Sequence, residues 1–320
     1  MLPFLQLIRL PNLFTAFADV MLGFLFGHES LSPAGRFGWL LLASGLLYSA
    51  GMVLNDVFDL KQDLAERPQR PIPSGRIAKE TATRLGLGML VGGIACGFLA
   101  GRMDGEFMIR PGATACALAV CILAYDGLLK KTWLGPFAMG GCRSLNVLLG
   151  MSTVLPAPGV LGYTTGQWCV VLGIGLYVAG VTWFAKKEAS VALASKSTVS
   201  ASVTGGLLMG VLLMLIGFGF LAVLPRVGEF AAGTRQLHLP DSGWWLLIGW
   251  LATLILRRCV VAIADPSPSK VQAAVKVCIL SLIVLDAAVC LAVRSPWWWS
   301  VAILLLLLPT LTLGRWIYST

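Results

Sequence analysis

The chain has 320 residues, of which 57% are hydrophobic and only 12% charged, and its formal net charge is +9. Soluble globular proteins carry about 25% charged residues, so a water-soluble enzyme is excluded, and no nucleic-acid-binding motif accompanies the positive charge. The apolar runs are continuous rather than alternating, which excludes a β-barrel and predicts an all-α, polytopic transmembrane helical bundle of nine or ten spans.

Ten spans are predicted, at about 10–28, 37–57, 84–101, 112–129, 134–153, 168–185, 204–224, 243–262, 273–293 and 297–315, since about twenty helical residues cross the hydrocarbon. Residues 1–11 show no cleavable-signal pattern, and the whole chain reads as one domain, 1–320. In the first span Asn12 and Asp19 lie seven residues apart and share a helix face. The second span runs out into Asn55-Asp56-Val57-Phe58-Asp59-Leu60-Lys61-Gln62-Asp63, followed by Arg70-Pro71-Ile72-Pro73-Ser74-Gly75. The polar acceptors at 55/56, 59 and 63 recur every three or four residues, so on a helix they share a face. Carboxylates clustered without an equal density of cations repel one another and are normally held by a divalent metal. Hard oxygen ligands favour magnesium, which keeps waters and recruits substrate phosphates.

The fourth span ends in Tyr125-Asp126-Gly127-Leu128-Leu129-Lys130-Lys131-Thr132. The fifth contains Arg143 and Asn146, three apart on one face. An arginine within lipid is costly and points inward, so this pair either orients a ligand in a cavity or bonds one helix to another. After the sixth span come Lys186-Lys187-Glu188-Ala189-Ser190 and Lys196-Ser197-Thr198. Asp286, in the ninth span, reads as a packing partner. The last two spans are divided only by Arg294-Ser295-Pro296, where Trp297-Trp298-Trp299 suits a turn at an aromatic interface. The eight cysteines all fall within or beside apolar runs with no Cys-x-x-Cys spacing, and read as small buried residues rather than disulfides or metal ligands.

With the N-terminus placed in the cytoplasm, 17 Lys and Arg fall on the cytoplasmic side and six on the other, with Arg143 inside a span. That asymmetry fits the positive-inside rule. The expectation is an integral protein of a bacterial inner membrane, its acidic cluster facing three basic loops from one side. Such a pairing suits a diphosphate, whose oxygens magnesium bridges and lysines neutralise. Each lysine taken singly reads equally as topogenic charge.

The combination Asn55-Asp56-x-x-Asp59-x-x-x-Asp63 with Arg70-Pro71-Ile72-Pro73-Ser74-Gly75 resembles the first signature of the UbiA superfamily of intramembrane prenyltransferases. Arg9-Leu10-Pro11-Asn12, Tyr125 with Lys130-Lys131-Thr132, and Lys196-Ser197-Thr198 add to the resemblance, and Cys142-Arg143-Ser144-Leu145-Asn146 is similar to the EboC-like branch. The resemblance implies a bundle with a central cavity open to lipid, in which a prenyl diphosphate ionises with magnesium and alkylates a lipophilic acceptor. It implies metal ligation by Asn55, Asp56, Asp59, Asp63 and Glu188, with Asp59, Asp63, Tyr125 and Lys131 at the reaction. Substrate contacts are implied for Asn12, Arg70, Arg76, Lys130, Arg143, Asn146 and Lys186. The sequence departs from the family at its second aspartate-rich motif, where Glu188 is the only acid within residues 186–190 and Lys186 offers fixed positive charge. Two functions are compatible with this pattern: a prenyltransferase, or a non-catalytic carrier of prenyl lipid or another metabolite.

Overall fold

A computed structural model of the protein describes residues 2–102, 107–186, 201–233, 237–265, 267–294 and 296–317, and helix is the only regular secondary structure among them. Nine helical stretches among the described residues are long and apolar enough to cross a membrane. They are α2 (Leu10–Gly27), α3 (Ala34–Phe58), α5 (Lys79–Gly101), α6 (Ile109–Ala124) with its continuation to Leu129, α8 (Thr165–Lys186), α9 (Ala201–Ala222), α11 (Asp241–Ala264), α12 (Pro268–Val293), and the pair α13 (Trp298–Leu305) and α14 (Leu307–Trp316). Shorter helices are α1 (Leu2–Leu7), α4 (Leu60–Glu66) and α10 (Gly228–Ala231). The span expected at 134–153 is α7 (Gly135–Met151), with 17 residues. At about 1.5 Å per residue it covers roughly 25 Å, short of the hydrocarbon thickness of about 30 Å.

The chain separates into two compact units, Met1–Thr132 with Leu145–Val154 and Ala302–Thr320, and Trp133–Ser144 with Leu155–Val301. In the first, α3 packs on α2, α5 and α6, and α14 lies against α2. Apolar side chains gain nothing by leaving lipid for one another, so association rests on close contact and hydrogen bonds. Gly23 of α2 and Gly150 of α7 provide the close contact. A Cβ on Gly23 would stand 2.2 Å from the Val147 carbonyl oxygen, and one on Gly150 would stand 2.4 Å from that of Val20.

In the second unit α8 packs on α9 along a similar seam. A Cβ on Gly180 would stand 2.5 Å from the Gly210 carbonyl oxygen, so no larger side chain fits without parting the helices. The fully buried Tyr177 hydroxyl donates to the Cys278 carbonyl at 2.9 Å, tying α8 to α12. Trp244 of α11 donates its indole N–H to the Leu221 carbonyl of α9, also at 2.9 Å. In a water-poor interior each such donor needs a partner, and these bonds fix the helices in register.

Candidate active site

The acidic signature lies at the end of α3 and in α4. Helical hydrogen bonding continues across the junction, from the Asp59 N–H to the Asn55 carbonyl and from the Asp63 N–H to the Asp59 carbonyl, both at 2.9 Å. The expected spacing of side chains therefore survives, although Asp59 itself stands between the two helices. Asn55, Asp56 and Asp63 are buried.

The Arg70–Gly75 segment folds back over these acids. The Ser74 hydroxyl donates to the Arg70 carbonyl at 2.6 Å, the Ile77 N–H to the Pro71 carbonyl at 3.1 Å, and Gly75 turns the chain at φ +74°, a value that favours glycine. Ile72 and Ile77 bury themselves with Leu7, Val53 and Ala82, each contributing roughly 1.5–3 kcal/mol if fully removed from water. That apolar anchor carries Arg70 inward. Its guanidinium donates to Asp63 Oδ2 at 2.7 Å and to Asp56 Oδ1 at 3.3 Å. Arg9, between α1 and α2, donates to the same Asp56 oxygen at 3.0 Å. Its backbone is left-handed, φ +50°, a conformation that costs a non-glycine residue roughly 1–2 kcal/mol and that its ion pair with Asp56 helps to offset. Arg76 is exposed and hydrogen-bonded to Ser74, Gln6 and the Gln69 carbonyl. Gln6, Arg9, Asp56, Gln69, Arg70, Pro71 and Arg76 line a cleft of about 70 Å³.

A second set of contacts comes from the end of α6, which widens into a π-helical turn, Tyr125–Leu129, closed by the Lys130 N–H on the Tyr125 carbonyl at 2.9 Å. A π-turn inserts one residue per turn and re-aims the side chains beyond it. Asp126, buried, accepts from Asn55 Nδ2 at 2.8 Å, and Lys130 donates to Asn55 Oδ1 at 3.1 Å and to Asp59. These partners fix the amide orientation of Asn55, because the reverse would set its oxygen against a carboxylate and its NH₂ against an ammonium.

The spacing of the acids predicts that no cation on their own helix face pairs them, and the structure brings them cations from other segments. Asp56 pairs with Arg9 and Arg70, Asp59 with Lys130, and Asp63 with Arg70. Arg70 reaches its partners because the loop folds back, and Lys130 because of the π-turn. Neither arrangement can be seen in the helix face alone.

The hard-oxygen set nonetheless suits magnesium. Asn55 Oδ1 and an Asp59 oxygen already converge on a cation, the Lys130 ammonium, with the Asp126 carboxylate attached to the same amide. Among the described residues no three His, Cys, Asp or Glu side chains form a ready metal cage. Magnesium characteristically takes one or two carboxylates and completes its shell with water and phosphate.

Of the other expected site residues, Lys131 is exposed beside the π-turn, Tyr125 opens it half-buried, and Asn12 is half-buried in the first turn of α2. Lys186 is exposed in the last turn of α8 and belongs to the second compact unit. Glu188 lies outside the described residues. Asn146 is engaged in packing. Its amide N–H groups bond Asp19 Oδ2 at 3.0 Å and the Ala16 carbonyl at 2.9 Å, and its oxygen accepts from Ser44 at 2.7 Å, joining α7 to α2 and α3. Arg143, half-buried on α7, falls in the second unit. Two residues of the site have no role assigned from sequence, Arg9 and Asp126. An acid placed shortly before the Lys130-Lys131 pair at a span end is the available signal for the second.

The chain is similar to the digeranylgeranylglyceryl phosphate synthase of Saccharolobus solfataricus, with 29% identity over 148 residues, 46% of this chain and 50% of that protein. It spans about half the length of the curated relatives it matches. A structure solved for work on digeranylgeranylglyceryl phosphate synthase in membranes matches with a TM-score of 0.65 at 19% identity, over 92% of this chain and 98% of that one. A UbiA homologue from Archaeoglobus fulgidus, bound to GPP and Mg²⁺, matches with a TM-score of 0.56 at 14% identity, over 90% and 99%. At these identities the structural likeness establishes the fold. The sequence match to the UbiA prenyltransferase family runs from residue 16 to residue 227, more than half of the chain, and the protein belongs to that family.

Proposed function

We propose that the protein transfers a prenyl group from a prenyl diphosphate to a lipophilic acceptor within the membrane, with magnesium as cofactor. The observation that carries this reading is the cation position between Asn55 and Asp59, beside a cleft lined by Arg9, Arg70 and Arg76. The A. fulgidus homologue holds GPP together with Mg²⁺, and the curated relatives are named for forming a prenylated glycerophosphate. In the proposed reaction the allylic C–O bond breaks, its electron pair leaving with the diphosphate. A nucleophilic atom of the acceptor closes on the allylic cation and loses a proton. Bound magnesium would draw charge from the diphosphate oxygens. Asn55 and Asp59 would hold it, with Asp56 and Asp63 beside them; the metal role expected of Glu188 falls outside the described residues. Arg9, Arg70, Arg76, Lys130 and Lys131 would neutralise the departing group, and Tyr125 would stand beside the allylic carbons.

The test is direct. Purified protein in lipid nanodiscs, given a radiolabelled prenyl diphosphate, magnesium and a membrane lipid extract, should release diphosphate and form a labelled lipid. Binding without turnover would favour the carrier instead. That second reading draws on two observations: the carboxylates are already ion-paired, and residues 186–190 hold only one acid.

Lys186 is assigned a substituting role, its ammonium meeting diphosphate where the family signature has an aspartate and a metal. A lysine contacts phosphate as a point charge and needs no metal. Lys186→Gln should therefore weaken prenyl diphosphate binding several-fold at every magnesium concentration. Unchanged affinity across a magnesium titration would mark the lysine as a topogenic charge only. Orientation has its own check. With the N-terminus in the cytoplasm, a cysteine placed at Gln69, in a variant depleted of native cysteines, should react with an impermeant maleimide only in inside-out vesicles. Labelling in intact cells would reverse the topology.

A further inference from the structure

Asp126 is the one acid of this cluster that the family signature does not include, and its place is specific. The π-turn sets its carboxylate against the Asn55 amide at 2.8 Å, on the side opposite the bond from that amide to Lys130. Lys130, Asp59 and, more weakly, Arg9 are also its electrostatic neighbours. An Asn side chain can present its oxygen to a cation steadily only if its NH₂ is held, and Asp126 holds it. The charges matter as much. Asp59 and Asp126 together carry two negative charges, and Lys130 answers one of them. The charge of the Asn55, Asp59 and Asp126 set thus matches a divalent ion better than a single ammonium. On the other flank, Asp56 and Asp63 are answered by Arg9 and Arg70.

We infer that Asp126 is a positioning residue of the metal site. It fixes the Asn55 oxygen on the cation and supplies the second negative charge that lets a divalent ion displace the Lys130 ammonium. The inference rests on the magnesium-dependent reading of the site and deepens it. With a metal held there, the Lys130 ammonium would be available to a diphosphate.

The rival account makes Asp126 a hydrogen-bond acceptor for a buried amide and nothing more. Asp126→Asn separates the two, because an asparagine oxygen can still accept from Asn55 while the charge is gone. Mn²⁺ binding to the purified full-length protein, followed by electron paramagnetic resonance without substrate, is the readout. Groups that orient a metal ligand typically change affinity about 10–100-fold when removed. Asp126→Asn should show a loss of that size with its unfolding temperature kept. Equal Mn²⁺ affinity in Asp126→Asn and the unmodified protein would overturn the inference and leave the prenyltransferase reading standing. Absence of Mn²⁺ binding by the unmodified protein would overturn both. Should Asp126→Asn fail to fold, Lys130→Met supplies the test. Removing the competing ammonium should tighten Mn²⁺ binding by several-fold, and unchanged or weaker binding would refute displacement.

Discussion

Asp59→Ala should lower prenyl transfer by about 10²–10³-fold, the effect of removing one preorganised electrostatic contact to a developing charge, while the protein stays folded. Two features support that separation. The Asp59 side chain is 14% exposed, and its partner Lys130 is 28% exposed, so a partnerless ammonium can turn towards water at little cost. Asp59→Asn should fall between the two proteins, because an amide oxygen remains without its charge. Product formation, diphosphate release and unfolding temperature should be measured on the same preparations. Full activity in the alanine variant would remove Asp59, and with it the acidic signature, from the chemistry.

Arg70→Met should destabilise the protein by about 3–5 kcal/mol, the usual cost of breaking a buried ion pair from one side. Arg70 is 6% exposed, and its partners Asp56 and Asp63 are 5% and 2% exposed. Unlike Lys130, neither side of this network can retreat into solvent. The double variant Arg70→Met/Asp63→Asn should recover much of the stability, since the uncompensated charge is gone, yet should still bind prenyl diphosphate poorly. Thermal unfolding in detergent across the double-mutant cycle and a binding titration read the two effects separately. Equal unfolding temperatures for the unmodified protein and Arg70→Met would show that the pairs contribute nothing to the resting fold.

The membrane-spanning architecture is legible because lipid leaves a chain few options. Backbone groups must be satisfied within each segment, and long apolar runs such as 204–224 and 273–293 admit only helix. The acidic signature is legible for a different reason, as a dense set of charges where charge is otherwise scarce. The pairing is not legible. Arg9 meets Asp56 across 47 residues and Asn55 meets Asp126 across 71, and no periodicity within a single helix encodes either contact. The π-turn at Tyr125–Leu129 is equally silent in composition, since its residues would suit an α-helix. Asn146 shows the converse. As a polar residue in a span it is as much a candidate for ligand binding as for packing, and only the structure shows its bonds to Ala16, Asp19 and Ser44.

The internal pairing of Asp56 and Asp63 with Arg9 and Arg70 has a consequence for the ligands this flank of the site admits. A lone anion that took Arg70 would leave buried Asp63 only its 4.0 Å contact with Arg67, and a lone cation that took Asp63 would leave Arg70 only Asp56, which Arg9 already answers. Either exchange leaves a buried charge under-compensated, the costly outcome for a group removed from water. A metal and a diphosphate entering together answer both halves at once. Each should therefore raise the affinity for the other, and by linkage the two enhancements must be equal. Under the proposed function this flank would act as a logical conjunction, disfavouring a phosphate or a cation that displaces one partner alone and admitting a complex of the two, while the Asn55–Asp59 flank takes the metal by itself.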